Sequence, residues 1–279
     1  MTALYINWDF DSEIINILGF PLKYYGLLFA SGLLLSMYIL KRIFQRENLK
    51  DSAHEALFVY GIVGILVGAR LVHCLFYDFD YYSKNLLEIM LPIKKTLTGE
   101  YKFIGYAGLA SHGGTIGLII SLYLYSKKYE IKYLKVLDLI AIVAPLGAAF
   151  IRLANLMNSE MIGNPTTMPW AFVFRSVDNI PRHPAQLYEA ISYLLIFILV
   201  LTIYKTKNIK LGNGFLFGLA ITLIFTMRIL IEFLKINQVA FEDGMKLNMG
   251  QLLSIPFIII GLYFMMKNSL KKKIVSKSY

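Results

Sequence analysis

The sequence predicts an all-α, polytopic membrane protein with about seven transmembrane helices, its N-terminus outside and its C-terminus in the cytoplasm. Three observations predict it. Of 279 residues, 57% are hydrophobic and 16% are charged, where a soluble domain of this length carries about a quarter charged. The apolar residues fall in runs close to the roughly 20 residues that a bilayer core requires. The basic residues collect between alternate runs.

Seven runs qualify in chain order: 22–40, 55–77, 103–125, 136–157, 186–204, 213–234 and 250–267. The fifth is the clearest, with Leu-Leu-Ile-Phe-Ile-Leu-Val-Leu-Thr-Ile-Tyr over 194–204. The third, fourth and sixth carry polar residues, and the seventh is short and holds Pro256. Residues 1–279 read as one integral membrane domain. The outward connections 78–102 and 158–185 are of functional size. The second contains Pro165, Pro169, Pro181 and Pro184, so it is expected to be extended and turn-rich. Residues 268–279 form a basic cytoplasmic tail. Residues 1–21 hold no Lys or Arg, whereas a cleavable signal wants a basic start, so the first helix is expected to remain as an anchor.

Lysine and arginine fix the orientation. Lys41, Arg42, Arg46 and Lys50 follow the first run, Lys127, Lys128, Lys132 and Lys135 the third, and Lys205, Lys207 and Lys210 the fifth. With Lys267, Lys271, Lys272, Lys273 and Lys277 in the tail, this face carries twice the basic residues of the other. The net charge of +10 therefore suits anionic headgroups at the cytoplasmic surface and not nucleic acid. The only cysteine, Cys74, permits neither an intrachain disulfide nor a multi-cysteine metal site. No cofactor and no metal are expected.

Arg70, Arg152 and Arg228 lie inside the runs. An arginine at mid-bilayer costs about 2.5–3.5 kcal/mol on insertion scales, so three of them require partners or a function. A rise of about 1.5 Å per residue puts each about 22–24 Å above the inner end of its run. His112 lies about 14 Å below the outer end of its run, and Tyr25 lies near the outer end of the first. All five fall in the outer half of the bilayer or near its midplane. Lys23 stands at a run end and can snorkel.

Counter-charges are at hand. Arg228 and Glu232 share a helix face at i,i+4. Arg152, Asn155 and Ser159 share another, with Glu160 beside it, and Glu189 opens the fifth run. A guanidinium that these do not fully neutralise suits a phosphate, which it grips bidentately. Gly113 and Gly114 after His112 allow close approach of a helix or a lipid.

Five motifs in order resemble the prolipoprotein diacylglyceryl transferase family, over nearly the whole chain from Tyr24-Tyr25-Gly26 to the final helix. They are Gly68-Ala69-Arg70; Ala110-Ser111-His112-Gly113-Gly114; Arg152-Leu153-Ala154-Asn155-Leu156-Met157-Asn158-Ser159-Glu160; Arg182-His183-Pro184-Ala185-Gln186-Leu187-Tyr188-Glu189; and Arg228 to Glu232. Ile151, Ala154 and Ser159 stand where the family usually has glycine, adding volume where helices should pack closely.

The resemblance implies an enzyme of the bacterial cytoplasmic (inner) membrane whose active site faces the outer leaflet. The donor is phosphatidylglycerol, and the acceptor is the lipobox cysteine that follows the signal peptide of a prolipoprotein. The products are a thioether and glycerol phosphate. On this reading Arg152 and Arg228 clamp the phosphate, and His112 is the candidate base with Glu160 as competitor. Tyr25, Arg70 and Asn155 position the headgroup beside Gly113 and Gly114, and Glu232 orients Arg228. His183 and Glu189 hold the outer loop. Two other classes fit intramembrane Arg and His. A transporter predicts inverted repeats or broken helices, and the sequence has no such symmetry. A non-catalytic lipid-binding or assembly protein differs in leaving a lipobox peptide unmodified.

Overall fold

The computed structural model describes residues 5–17, 20–91, 93–96, 100–103, 108–206, 211–236, 242 and 244–275. In chain order these form β1 (Ile6–Trp8), β2 (Glu13–Ile17), β3 (Phe20–Lys23), α1 (Tyr24–Arg46) and α2 (Asp51–Val72), which continues as a π-helical turn over His73–Tyr77. Two single turns follow, α3 (Phe79–Tyr82) and α4 (Leu87–Met90), then β4 (Ile93–Lys95) and β5 (Tyr101–Phe103). The remainder is α5 (Ser111–Lys128), α6 (Tyr133–Met157), β6 (Phe172–Phe174), β7 (Pro181–Arg182), α7 (Ala185–Thr206), α8 (Phe215–Glu232) and α9 (Met249–Val275).

Among the described residues, six helices are long and apolar enough to cross a membrane: α1, α2 with its π turn, α6, α7, α8 and the stretch of α9 to Lys267. The helix expected over 103–125 is α5, which starts at Ser111 and ends at Lys128. Its Ser-His-Gly-Gly-Thr opening and Ser-Lys-Lys close dilute its apolar content, and it is not among the six. The all-α expectation also needs amendment, because the connections carry short sheets: β2–β3 and β4–β5 are antiparallel pairs, and β1 lies parallel to β6, which pairs with β7. The proline-rich segment 158–185 is extended as expected, β6 and β7 being its regular elements.

The chain divides into two compact units, Met1–Ile43 with Leu137–Tyr279, and Phe44–Val136. In the larger unit the segment 158–185 is seated by aromatic packing. The Trp8 indole donates to the Leu156 carbonyl at 3.1 Å and lies 5.3 Å from the Phe172 ring. Leu156, Phe172 and Phe174 form a buried cluster against which Trp8, Ile162 and Leu187 pack. At the end of α6 the chain turns through Ser159 and Met161, both at positive φ (54° and 58°). Such backbone costs a non-glycine residue roughly 1–2 kcal/mol. A conformational cost thus accompanies Ser159 and Met161. The start of α8 is held by Asp138 of α6, whose carboxylate accepts the backbone N–H groups of Gly212, Gly214 and Phe217 at 2.9–3.0 Å. These are the donors that a helix N-terminus leaves unpaired.

In the smaller unit α2 packs on α5 through facing glycines. A Cβ at Gly64, Gly68, Gly113 or Gly117 would collide with the backbone or side chains of the other helix. Further along the same contact the Tyr125 hydroxyl donates to the Ala53 carbonyl at 2.9 Å.

Candidate active site

A chain of polar groups, buried at Glu189, Glu232, Lys235 and Asn155, runs through the larger unit. Glu189, one turn into α7, is fully buried. Its Oε2 lies 2.9 Å from the Arg152 Nε, an ion pair without the alignment of a hydrogen bond. Its Oε1 accepts from the Lys235 Nζ at 2.9 Å. The same ammonium lies 3.2 Å from Glu232 Oε2, and Glu232 Oε1 accepts from Asn248 Nδ2 at 3.2 Å. On the far side of the cluster, the Arg152 Nη1 donates to Asn155 Oδ1 at 3.2 Å. Asn155 Nδ2 in turn donates to Glu160 Oε2 at 3.0 Å, and Asn158 Nδ2 donates to Glu160 Oε1 at 3.0 Å. Gln186 Nε2 donates to the Glu160 backbone carbonyl.

The helical period explains the convergence. Arg152 and Asn155 are i,i+3 on α6, and Glu189 and Tyr193 are i,i+4 on α7. The buried Tyr193 phenol interacts electrostatically with Glu189, Arg152 and Arg228 together. Arg228 itself makes neither a hydrogen bond nor an ion pair with any described residue. The expected i,i+4 partnership with Glu232 is not formed, because Lys235 and Asn248 take both oxygens of that carboxylate. Burying charges is tolerable only when they are paired; Glu189 and Glu232 pair with Arg152 and Lys235, and Arg228 stands outside this pairing.

Around this chain lie the other candidates of the unit. Tyr25 lines a pocket of about 590 Å³ with Pro21, Leu22, Lys23, Gly26, Asn158 and Glu160. His183 Nδ1 stands 3.2 Å from the Tyr188 hydroxyl, which accepts from Trp170 Nε1 at 2.9 Å. Burial pushes the His183 imidazole below its ordinary pKa. Arg182 forms a short ion pair with Asp178 (2.6 Å) and holds that carboxyl below the usual carboxylate range.

Arg70 and His112 belong to the smaller unit. The buried Arg70 guanidinium donates to the carbonyls of Glu88, Ile89 and Gly108 and lies 4.8 Å from the centre of the Tyr82 ring. Glu88 receives the Tyr81 hydroxyl at 2.7 Å, and this hydrogen bond is the main reason the phenol is pushed up to about 12. Arg70 thus binds loop backbone. His112 is exposed at the start of α5 and makes no hydrogen bond with a described residue. Gly113 and Gly114 are buried, the former where α5 crosses α2.

Sequence reasoning missed Lys235, Tyr193, Gln186 and Asn248. Lys235 lies outside every motif of the sequence, although its i,i+3 spacing from Glu232 is a usable signal. Tyr193 sits one turn beyond Glu189. Gln186 and Asn248 carried no sign of their partners.

The chain matches the family model described as prolipoprotein diacylglyceryl transferase over residues 12–267. It is similar to proteins named phosphatidylglycerol–prolipoprotein diacylglyceryl transferase. One from Bacteroides fragilis is 52% identical over 97% of this chain and 98% of its own. One from Porphyromonas gingivalis is 43% identical over 98% of each. One from Tolumonas auensis is 40% identical over 95% of this chain and 98% of its own.

Proposed function

The chain belongs to the prolipoprotein diacylglyceryl transferase family, and from that premise we propose that it transfers the diacylglyceryl group of phosphatidylglycerol to the lipobox cysteine of prolipoproteins. The thiol sulfur attacks the glycerol carbon that bears the phosphodiester. The carbon–oxygen bond breaks, its electron pair stays on the phosphate oxygen, and glycerol phosphate leaves. The thiol proton passes to a base, and a thioether remains.

Two demands follow. A free thiol with a pKa of about 8.5 is mostly protonated at neutral pH, so a base must accept its proton. The departing phosphate gains negative charge, which fixed cations stabilise best when they are already in place and shielded from water. The observation that carries the reading is the incomplete pairing of two arginines that both act on Tyr193: Arg152 shares the Glu189 carboxylate with Lys235, and Arg228 makes neither a hydrogen bond nor an ion pair with a described residue. These guanidiniums are the proposed phosphate clamp. Asn155, Glu160 and Tyr25 are the proposed contacts to the headgroup, with Tyr25 and Glu160 lining one pocket. His112 is the proposed base, its imidazole exposed at a helix start. Gly113 and Gly114 beside it are taken up by the close approach of α2, which favours a packing role for them. The contacts of Arg70 favour a role in holding the 78–102 connection, and those of His183 and Glu189 favour anchoring 158–185.

The proposal includes seven spans, with α5 as the least apolar, an outward N-terminus, and an active site facing the outer leaflet of the cytoplasmic membrane. The lysine distribution supports this orientation, and acceptor cysteines emerge on that side beyond their signal helices. The test is a lipobox peptide incubated with the protein and phosphatidylglycerol vesicles. A mass increase equal to one diacylglyceryl group is expected, dependent on phosphatidylglycerol. Its absence overturns the reading, and so does full retention of rate across pH by His112→Gln for the base.

A further inference from the structure

Lys235 occupies a place that the proposed chemistry leaves unexplained. Its ammonium is almost wholly buried and touches the two buried carboxylates of the site, Glu189 at 2.9 Å and Glu232 at 3.2 Å. Its backbone is fixed as well. Gly163 bridges to Lys235 in antiparallel fashion, and Asn164 N donates to the Leu234 carbonyl at 2.7 Å. The outer segment is thereby stitched to the end of α8 at this residue. Glu232 is held from the other side by Asn248, and a Cβ on Gly250 would press on its carboxylate at 2.9 Å.

Glu232 stands four residues after Arg228, a spacing at which carboxylate and guanidinium ordinarily meet. They do not meet here, and Lys235 is the cation found on the carboxylate. It also takes one oxygen of Glu189, which leaves Arg152 a single contact to that group. We propose that Lys235 is a positioning residue that draws Glu232 and half of Glu189 away from Arg228 and Arg152, so that both guanidiniums keep charge for an anionic lipid headgroup. Without the ammonium, Glu232 is the nearest counter-charge for Arg228 on its own helix, and Glu189 can turn both oxygens to Arg152. The site would then neutralise itself before substrate arrives. The ammonium and both carboxylates are buried, so water screens the exchange of partners less than it would at the surface.

The inference rests on the transferase reading above, and the experiment separates the two. Transfer to a lipobox peptide is followed in mixed micelles of varied phosphatidylglycerol content, with the unfolding midpoint of each variant recorded in detergent. If the unaltered protein makes no product, the transferase reading has failed and Lys235 is not at issue. If it is active, Lys235→Met is expected to raise KM for phosphatidylglycerol about tenfold or more with a smaller change in kcat, the mark of lost substrate binding. Lys235→Arg should keep KM within about threefold, since it restores the charge. The decisive variant is Lys235→Met with Glu232→Gln, which removes the released carboxylate and should recover most of the lost affinity. A merely structural lysine would lower the unfolding midpoint and show no such recovery of KM. Should Lys235→Met not accumulate folded, Lys235→Gln replaces it with the same expectations. An unchanged KM in the single variant, or no recovery in the double one, overturns the proposal.

Discussion

Arg152 and Glu189 meet through a single nitrogen, Nε to Oε2 at 2.9 Å, while the arginine's Nη1 turns to Asn155. A guanidinium that carboxylate grips side-on at one atom still has donors to offer. The expected outcome is that Arg152→Ala and Arg228→Ala each lower kcat/KM by roughly 10²–10³, the loss typical of one donor to developing charge. Arg152→Lys should not restore the rate, because an ammonium cannot hold Glu189, Asn155 and a phosphate in one plane. Initial rates of peptide lipidation check this, and near-unaltered turnover in either alanine variant removes the clamp.

Much of this was legible in the sequence for a physical reason. Helical runs of near-bilayer length announce themselves, and an arginine inside one demands a partner. The i,i+3 relation of Arg152 to Asn155 therefore reads directly. What the sequence hides is competition among partners. Arg228 and Glu232 satisfy the helical spacing, but a lysine three residues further on, past the helix end, wins the carboxylate. Likewise Arg70 looked available for a headgroup, but backbone carbonyls of a distant loop occupy it. The small sheets escaped for another reason: strands of two to five residues are too short to leave a periodicity to detect.

Asp138 offers a stability test away from the chemistry. Its carboxylate receives three backbone donors at the start of α8, where the helix dipole also favours negative charge. Asp138→Ala strands these donors, and leaving one buried polar group unsatisfied costs about 1–3 kcal/mol. A marked drop in the unfolding midpoint is expected, with Asp138→Asn intermediate because an amide oxygen still accepts. Turnover per folded molecule should hold, since α8 keeps Arg228 in place once formed. An unchanged midpoint would show that water satisfies those donors.

Acidification should loosen the segment 158–185 in two stages. Burial lowers the His183 pKa, so the folded state binds fewer protons than the unfolded state just below the ordinary value of about 6.5. Its contribution is full above that value and fades as pH falls towards the depressed one. Asp178, lowered chiefly by its hydrogen bond to Arg182, behaves the same way in a lower window: its contribution is present above about 3.9 and is lost as pH falls through the depressed value. Protease susceptibility of residues 158–185, measured against pH, should therefore rise twice. His183→Gln is expected to abolish the upper rise and Asp178→Asn the lower one, and a single rise that neither variant moves would refute the assignment.

The α2–α5 crossing is the most sterically determined contact in the smaller unit. At Gly117 a Cβ would run into the Gly64 carbonyl oxygen and close on the Gly68 Cα at 2.8 Å. The listener on each side is backbone, which cannot rotate away as a side chain could, so the helices must separate. Overpacking of this kind costs about 1–3 kcal/mol, and it also forfeits the close contact that holds small-residue helix pairs together in lipid. Gly117→Ala is thus expected to lower the unfolding midpoint, and Gly117→Leu to lower it further. Gly61 supplies the contrast on α2, because its nearest neighbour to an added Cβ is a Leu118 methyl at 4.0 Å. Gly61→Ala should be neutral or stabilising, since alanine restricts the unfolded chain and favours the helix. Equal effects at Gly61 and Gly117 would mean that helix propensity, and not the approach of the two backbones, governs this pair.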